Sequence, residues 1–377
     1  MPSIYLKILT NRSLATKERI KNFVRYFLMR RSSRIQWKRG FAKVLNVNPE
    51  YNSPAEKSVE EAHKQYWKPY RKRVNPTTLR LTKSISGVSN PKFIPHDIFA
   101  SDIEPVMNQS PGVIYFTYKS LSNHWFPGNI FPRDYFHNID GAWYDHNLDP
   151  VSINQVYTLI DQISYPVVMK PNRDSYGGKN IHFPGSKEEL LELIEEQKDF
   201  LVQEEIKKYP FYEQFGKKGL NTLRVNVYRS FSDNNWHVTS AALRMSRSGS
   251  LDNLSSGGVA SLINSEGYLN GYAIDTYGNK YYKHPDTGAA FNQEIPDYKG
   301  MLKFAVAIAN KLFYARLASL DLCYDKDENW RAIEVNITNT TLSHFAQHHG
   351  VEFFGEFTDE VHEYCLKNHW AFKSDKL

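Results

Sequence analysis

Asp321, Glu334 and Asn336 are the residues whose types and spacing point most directly to chemistry. Asp321 lies in one apolar run, Leu320-Asp-Leu-Cys-Tyr324. About a dozen residues on, Glu334 and Asn336 alternate within a second, Ala332-Ile-Glu-Val-Asn336. Side chains on a strand repeat every two residues, so Glu334 and Asn336 leave the same face. Ile333, Val335 and Ile337 are then expected to face the core. Two carboxylates and an amide oxygen converging on one spot suit Mg2+, which takes few protein ligands and completes its shell with phosphate oxygens. The same pattern also describes an edge strand with a polar outer face.

Upstream segments supply what phosphate chemistry needs. Tyr165-Pro-Val-Val-Met-Lys170 reads as a short apolar strand ending in Lys, and it runs into a loop containing Gly177-Gly178-Lys179. Paired glycines let backbone N–H groups approach an anion, and the Lys adds a charge. Alone, the glycine pair is also an ordinary turn. The Gly-Lys-Ser/Thr ending of a Walker loop is absent. Phe200-Leu-Val-Gln203-Glu204-Glu205-Ile206 is a second strand ending in acids, whose backbone suits hydrogen bonding to a purine.

The ordered set Lys170, Gly177-Gly178, Gln203-Glu204-Glu205-Ile206, Arg224, Arg244, Asn253, Gly257-Gly258, Asp321, Glu334 and Asn336 resembles the ATP-grasp superfamily. Asn221-Thr-Leu-Arg224-Val and Leu243-Arg244 through Asp252-Asn253 to Gly257-Gly258 are most similar to its sugar-transfer-associated branch, whose genes tend to accompany polysaccharide assembly. The resemblance covers roughly residues 120–360. It implies an α+β ATP-grasp fold, mostly antiparallel sheets clasping ATP, with ATP and Mg2+ as cofactors.

The resemblance also implies roles. Lys170 contacts the α- and β-phosphates, and residues 174–180, with Gly177 and Gly178, form a flap over them. Gln203, Glu204, Glu205 and Ile206 line the adenine pocket. Thr222 falls where many members place a ribose-binding acid, so Asn221 or Glu213 is a substitute. Asn253 belongs to the nucleotide site, and Arg244 stabilises the transferring phosphate. Asp321, Glu334 and Asn336 hold Mg2+. Arg224, Gly257, Gly258, Thr340 and Ser343 are expected at the substrate, although Thr340 and Ser343 also suit capping of the next helix. One departure stands out: several ligases carry an Arg just before the position of Asn253, where this chain has Leu251-Asp252. Either Arg247 or Arg244 is then expected to supply that charge, or the acceptor chemistry differs.

The implied reaction is carboxylate–amine ligation through an acyl phosphate, in surface polysaccharide or capsule biosynthesis. Amidation of a uronic acid by an amino acid or amino sugar is one form it takes. The acceptor is a small molecule or glycan, including a lipid-linked one. A sugar kinase of the same fold, or a non-catalytic nucleotide-binding module, would share the nucleotide half. Phosphoryl transfer needs positioning and charge neutralisation rather than a protein nucleophile. This agrees with the absence of a G-x-S-x-G elbow. His344 and His348 lie one helical turn apart, but no third ligand of suitable spacing joins them. A surface or acceptor-site role is expected for His344, His348 and His349. Asp325 and Asp327 read as a hairpin turn.

Composition bounds these readings. The chain has 377 residues, with 41% hydrophobic, 23% charged and 14% aromatic, including 24 Tyr and 22 Phe. This fits a soluble protein of one large or two to three smaller domains. Two Cys make no disulfide framework or zinc signature, which suggests a reducing cytoplasm. No run of about 18 apolar residues spans a bilayer, and no signal peptide is expected. Charge is uneven: residues 1–85 hold 20 Lys/Arg against 5 Asp/Glu, a balance of +15, while the remainder holds 27 against 36, or −9. Leu14, Ile20, Phe23, Val24, Phe27 and Leu28 follow helical spacing among Lys17, Arg19, Lys21 and Arg25. Such a helix either docks on an anionic membrane, the inner face of the plasma membrane, or packs on the protein's own core. Nucleic acid is not the expected partner, because no recognised nucleic-acid-binding pattern appears.

These residues need a frame to hold them. Residues 13–31 and 56–73 are expected as helices in a basic region, 1–75. Residues 76–165 form an N-terminal lobe, with short strands at 112–116 and 141–144. Residues 166–377 hold the nucleotide- and metal-binding lobes. Helices are expected at 151–163, 186–198, 301–312 and 357–368. Ser186 and Glu189 start the second of these as a capping box. Strands are expected at 200–206, 222–229, 236–244, 258–263, 319–324 and 331–337.

Overall fold

Helices dominate the first hundred residues. The computed structural model describes residues 3–173, 178, 180–247, 249, 251–338, 340 and 346–374. It begins with α1 (Ile4–Thr10), α2 (Thr16–Val47), α3 (Lys57–Trp67) and α4 (Thr77–Ser86). α2 runs well past the expected end at 31. Its sequence offers no proline before Pro49, and proline is the residue that would force a stop. α4 ends on Gly87, whose φ of 80° is the left-handed turn that glycine adopts without strain.

Packing runs across residue 75. Tyr26, Trp67, Tyr70, Ile98, Phe99, Phe353, Phe354 and Cys365 share one buried cluster, so the N-terminal helices pack with the C-terminal residues. The segment expected as a strand at 112–116 is instead a 3-10 turn over Pro111–Thr117. Pro111 cannot donate to a ladder, and the Ser110 hydroxyl accepts from the Gly112 N–H, which stabilises the turn.

A four-stranded antiparallel sheet follows. It comprises β1 (Asp134–Ile139), β2 (Ala142–Asp145), β3 (Val167–Pro171) and β4 (Phe200–Glu204), in the order β2-β1-β4-β3. Two helices cover one face: α5 (Ile153–Gln162) and α6 (Lys187–Glu196). Ser186 caps α6 by accepting from the Glu189 N–H, but the Glu189 carboxylate accepts from the Gly185 N–H instead of the Ser186 N–H, so the reciprocal half of the expected capping box does not form. Phe136, Val167, Met169, Phe200 and Val202 pack beneath Val156, Ile160, Leu190 and Ile194. Alternation therefore sends Val168, Lys170 and Gln203 to the opposite face.

The second sheet is seven-stranded and antiparallel, in the order β11-β10-β5-β6-β7-β8-β9. Its strands are β5 (Leu223–Arg229), β6 (Trp236–Met245), β7 (Val259–Ile263), β8 (Ala273–Ile274), β9 (Lys280–Tyr281), β10 (Leu317–Tyr324) and β11 (Trp330–Asn336). The helix α7 (Tyr298–Ala309) backs it. Met301, Ala305 and Ile308, one helical stripe, join Leu223, Val225, Leu243, Leu320 and Leu322 in the largest core. The intervening residues Arg224, Arg244 and Asp321 leave on the other side. α8 (Thr358–Lys367) comes near the C-terminus.

One detail of β11 differs from simple alternation. Asp321 pairs with Glu334, but the next β10 residue, Leu322, pairs with Ala332. Ile333 is therefore an extra, bulged residue. Ala332, Val335 and Ile337 enter the core, whereas Ile333, expected there, stays half-buried beside Glu334 along a cavity. A bulge re-aims side chains locally in this way.

Candidate functional site

The polar faces of the two sheets enclose a cavity of about 710 Å3. That is within the range of small-molecule sites, about 300–1,000 Å3. Val168, Lys170 and Gln203 line it from the first sheet, and Arg224, Arg244, Asp321, Glu334 and Asn336 from the second. Residues more than a hundred positions apart thus meet because each sits at an alternate position on a strand backed by its own helical layer.

Asp321 is the hub of one wall. Its carboxylate accepts from Arg224 Nε at 2.5 Å and pairs with Arg244 Nη2 at 3.2 Å. Burial alone would raise the Asp321 carboxyl, but the two guanidinium groups hold it below the usual carboxylate range. Arg244 is itself fixed on several sides. Its Nε donates to the Thr222 hydroxyl at 3.1 Å and its Nη1 to Asn253 Oδ1 at 3.1 Å, and Asp252 lies 3.6 Å away. Asp252 also accepts from the Thr222 N–H. Leu251-Asp252 therefore brings a carboxylate to Arg244 at the position where several ligases carry an arginine. Arg247 does not substitute, because it is exposed, lies outside the cavity wall and pairs with Asp286 at 3.2 Å.

The second cluster centres on Glu334, which pairs at 2.9 Å with Lys119. Lys119 is buried and lines the cavity, and its N–H is donated to the Asn172 carbonyl. Sequence reasoning missed it. It sits in an aromatic segment with no informative spacing, and its place is fixed only by the contact with the end of β3. Lys170 stands nearby. Burial, and then repulsion from Lys119, pushes its ammonium down to about 8. Behind Gln203, the buried Asp134, which is not part of the cavity wall, accepts from Gln203 at 2.5 Å and Asn123 at 2.9 Å. Burial pushes its carboxyl up to about 6.

Glu204, Glu205 and Ile206 continue from β4 along the cavity. The Glu204 carboxylate is already engaged, accepting from the Arg133 N–H at 3.0 Å and Arg331 Nη2 at 2.9 Å. Thr222 lines the cavity, but its hydroxyl accepts from Arg244. Of the two proposed ribose substitutes, Glu213 lines the cavity. The buried Asn221 instead ties the Tyr212 and Gly216 carbonyls to the Ser246 N–H. Gly178 also lines it, close enough to Leu251 that a Cβ would meet Leu251 Cδ1 at 2.8 Å.

Other expected residues do not reach the site. Among the described residues, the cavity wall contains neither Gly257, Gly258 nor Thr340. Gly258 has a structural reason to be glycine: a Cβ would lie 2.7 Å from the Asp252 carbonyl oxygen. Thr340 donates both its N–H and its hydroxyl to Glu104. His348 and His349 are buried rather than on the surface, and His349 stacks on Tyr272 at 4.9 Å. Asp325 closes the β10–β11 hairpin by accepting from the Asp327 and Asn329 N–H groups. Gly177, Ser343, His344 and most of the loop 174–180 lie outside the described residues.

Among the described residues, eight Lys and Arg, including Lys119, Lys170, Arg224 and Arg244, line the cavity against six Asp and Glu, so cations outnumber carboxylates there. Such a site favours a polyanion. No cluster of three or more His, Cys, Asp or Glu side chains suited to a metal ion occurs among the described residues. An all-protein metal cage is therefore not what the donors fit. Asp321 and Glu334, directly opposed across β10 and β11, with Asn336 beside them, fit a hard divalent cation that shares phosphate oxygens.

Residues 151–353 match the sequence profile of the family described as sugar-transfer associated ATP-grasp. No curated protein matches the chain. The similar solved structures include the biotin carboxylase domain of Hydrogenobacter thermophilus 2-oxoglutarate carboxylase bound to MgADP, ADP and bicarbonate. It has 14% identity and a TM-score of 0.41, over 68% of this chain and 46% of that one. They also include the ATP-grasp ligase PsnB with its minimal precursor, at 14% identity and TM-score 0.40, over 68% and 62%. D-alanine-D-alanine ligase from Coxiella burnetii matches at 10% identity and TM-score 0.38, over 67% and 57%. The chain spans about half to three-fifths of the length of these structures.

Proposed function

This chain belongs to the sugar-transfer associated ATP-grasp family, and on that premise we propose that it is an ATP-dependent carboxylate–amine ligase. The observation that carries the reading is the meeting of Lys119, Lys170, Arg224 and Arg244 with Asp321 and Glu334 in one cavity between two sheets. A substrate carboxylate oxygen attacks the γ-phosphorus, the bond to the β-bridging oxygen breaks, and ADP leaves with that electron pair. An amine then attacks the acyl carbon. Phosphate departs, and the proton lost by the amine passes to solvent.

The protein's part is to hold and to neutralise. Lys119 and Lys170 hold the polyphosphate. Arg244, fixed by Thr222, Asn253 and Asp321, presents a guanidinium with little freedom to reorganise. Asp321, Glu334 and Asn336 would hold Mg2+, which supplies charge neutralisation across phosphate oxygens. Glu205, Ile206 and the strand end at Glu204 receive the base, and Glu213 the ribose. No protein nucleophile is required. Burial pushes the thiols of Cys323 and Cys365 up, away from reactive thiolate.

The family's association with sugar transfer supports an acceptor in surface polysaccharide assembly, with a uronic acid as the carboxylate. Incubation with ATP, Mg2+, uronic acids and hydroxylamine tests this. A hydroxamate formed with stoichiometric ADP supports the acyl phosphate. A stable phosphosugar assigns a kinase instead, and ATP binding without turnover assigns a non-catalytic module.

Lys170 adds a pH signature. A bound polyphosphate favours its charged form, so binding raises its pKa from the free value of about 8. ATP binding therefore takes up a proton above about pH 8, and affinity falls toward tenfold per pH unit there. Below about pH 7 the pH dependence due to Lys170 vanishes, because the group is already charged before ATP binds. Calorimetry in buffers of different ionisation enthalpy reads the uptake. Lys170→Ala loses both the uptake and much of the affinity. An unaltered protein with pH-independent ATP affinity between pH 7 and 9.5 would remove this role.

A further inference from the structure

We propose that the outward face of α2 is a docking surface for an anionic lipid bilayer. An α-helix turns by about 100° per residue, so residues sharing a face follow from their spacing. One side of α2 carries the buried Asn22, Tyr26, Ser33 and Val44. Asn22 donates to the Ala371 and Lys373 carbonyls and Tyr26 to Asp102, which fixes this side against the body. Ile20, Val24, Phe27, Leu28 and Ile35 fall on the opposite side and are 56, 47, 48, 55 and 41% exposed. Of the apolar stripe expected at 14–28, only Leu14 is buried, and Phe23 packs partly on the core. One side of the helix therefore packs on the body, and the other leaves an apolar row uncovered.

Lys17, Lys21, Arg31, Lys38 and Arg39 interleave with the exposed row. Over its length α2 has ten Lys/Arg and one acid, Glu18. Basic charge alone would suit any polyanion. Large aliphatic and aromatic side chains set among the bases suit only a partner that is anionic at its surface and apolar just below. A bilayer interface has that profile: the apolar row sinks to the acyl boundary while Lys and Arg reach up to the headgroups. From Lys17 to Ile35 the row is about 27 Å long. No helix among the described residues is long and apolar enough to cross a membrane, so attachment through α2 is peripheral.

The far end of α2 meets the catalytic body. Asn48, just past it, donates to the Tyr277 carbonyl and Asn279 Oδ1, in the turn that follows the cavity residue Thr276. A docked α2 is thus tied directly to a segment of the cavity wall, an arrangement suited to a lipid-linked acceptor. The docking itself stands on α2 and does not depend on the proposed reaction.

Flotation of the full chain with phosphatidylcholine vesicles, with and without phosphatidylglycerol, tests the inference. Partition is expected only with phosphatidylglycerol and is expected to weaken steeply with salt. Arg31→Glu with Lys38→Glu, or Val24→Glu with Phe27→Glu, should lower partition at least about tenfold, since each base near such a surface contributes severalfold. Melting temperature and ATP turnover should stay at the parent value. The salt series on the unaltered chain gives the same test should a variant fail to fold. No partition at low salt, or equal partition without phosphatidylglycerol, overturns the proposal. A dimer dispersed by Phe27→Glu in a protein that ignores vesicles would overturn it too, and would assign the face to a second copy.

Discussion

Glu334→Gln lowers ATP turnover about a hundredfold or more at saturating Mg2+, the scale of losing one preorganised charge contact. The substitution removes a negative charge at nearly constant shape. It leaves Lys119 facing a neutral amide and takes one of two carboxylates from the proposed cation site. The Glu334 side chain is about a third exposed, so the fold should tolerate the change and the melting temperature should move little. Asp321 is a poorer test. Arg224 and Arg244 both lean on it, and its loss would disturb two cations along with the metal site. Steady-state ADP release, measured across Mg2+ concentrations, gives the result. Turnover near the parent value would end the assignment of Glu334.

Asp102→Asn is expected to cost about 3–5 kcal/mol of stability, because it leaves a buried cation without its counter-charge. Asp102 is fully buried. Its carboxylate pairs with Arg71 Nη2 at 2.7 Å and accepts from the Tyr26 hydroxyl and the Ser101 hydroxyl, each at 2.6 Å, with His369 at 3.2 Å. Burial alone would raise the carboxyl, but Arg71 and His369 hold it well below the ordinary range. A depressed acid stabilises the fold above the unfolded pKa, about 4, and this contribution is lost as pH falls below it. Urea titration should show the loss at neutral pH, and the difference between parent and variant should shrink in acid. Arg71→Met combined with Asp102→Leu should recover much of the stability, since apolar replacement removes both desolvation costs. A loss below about 1 kcal/mol for Asp102→Asn would mean that the network contributes little. The network joins α2, the segment after α3, residues 99–103 and His369, so it also anchors the helix proposed to meet the membrane.

The legible parts of this fold were those with an uninterrupted period. β5, β6, β7, β10 and β11 announce themselves as alternating or apolar runs, and α6 by its N-cap, because each pattern follows from local backbone geometry. The 112–116 segment was misread because its Val-Ile-Tyr-Phe content favours a strand, while Pro111 and Ser110 before it set a turn. α2 continues past 31 because Trp37, Phe41 and Val44 keep an apolar stripe at helical spacing and no proline stops the helix, a signal broken up in the sequence by the basic residues between them.

The sequence by itself determined which residues lie on the polar face of each strand: Lys170, Gln203, Arg224, Arg244, Asp321 and Glu334. The side-chain period of two is a property of one strand and needs no partner. Tertiary structure alone decided the rest. Lys119 enters the site from a turn with no periodicity, and the Ile333 bulge arises only where β11 pairs with β10. Asp252 meets Arg244 only because the segment after β6 folds back, and Thr340 leaves the site because Glu104, more than two hundred residues away, takes its hydrogen bonds. Each of these placements depends on a contact between distant segments, and local spacing carries no record of what a residue will touch.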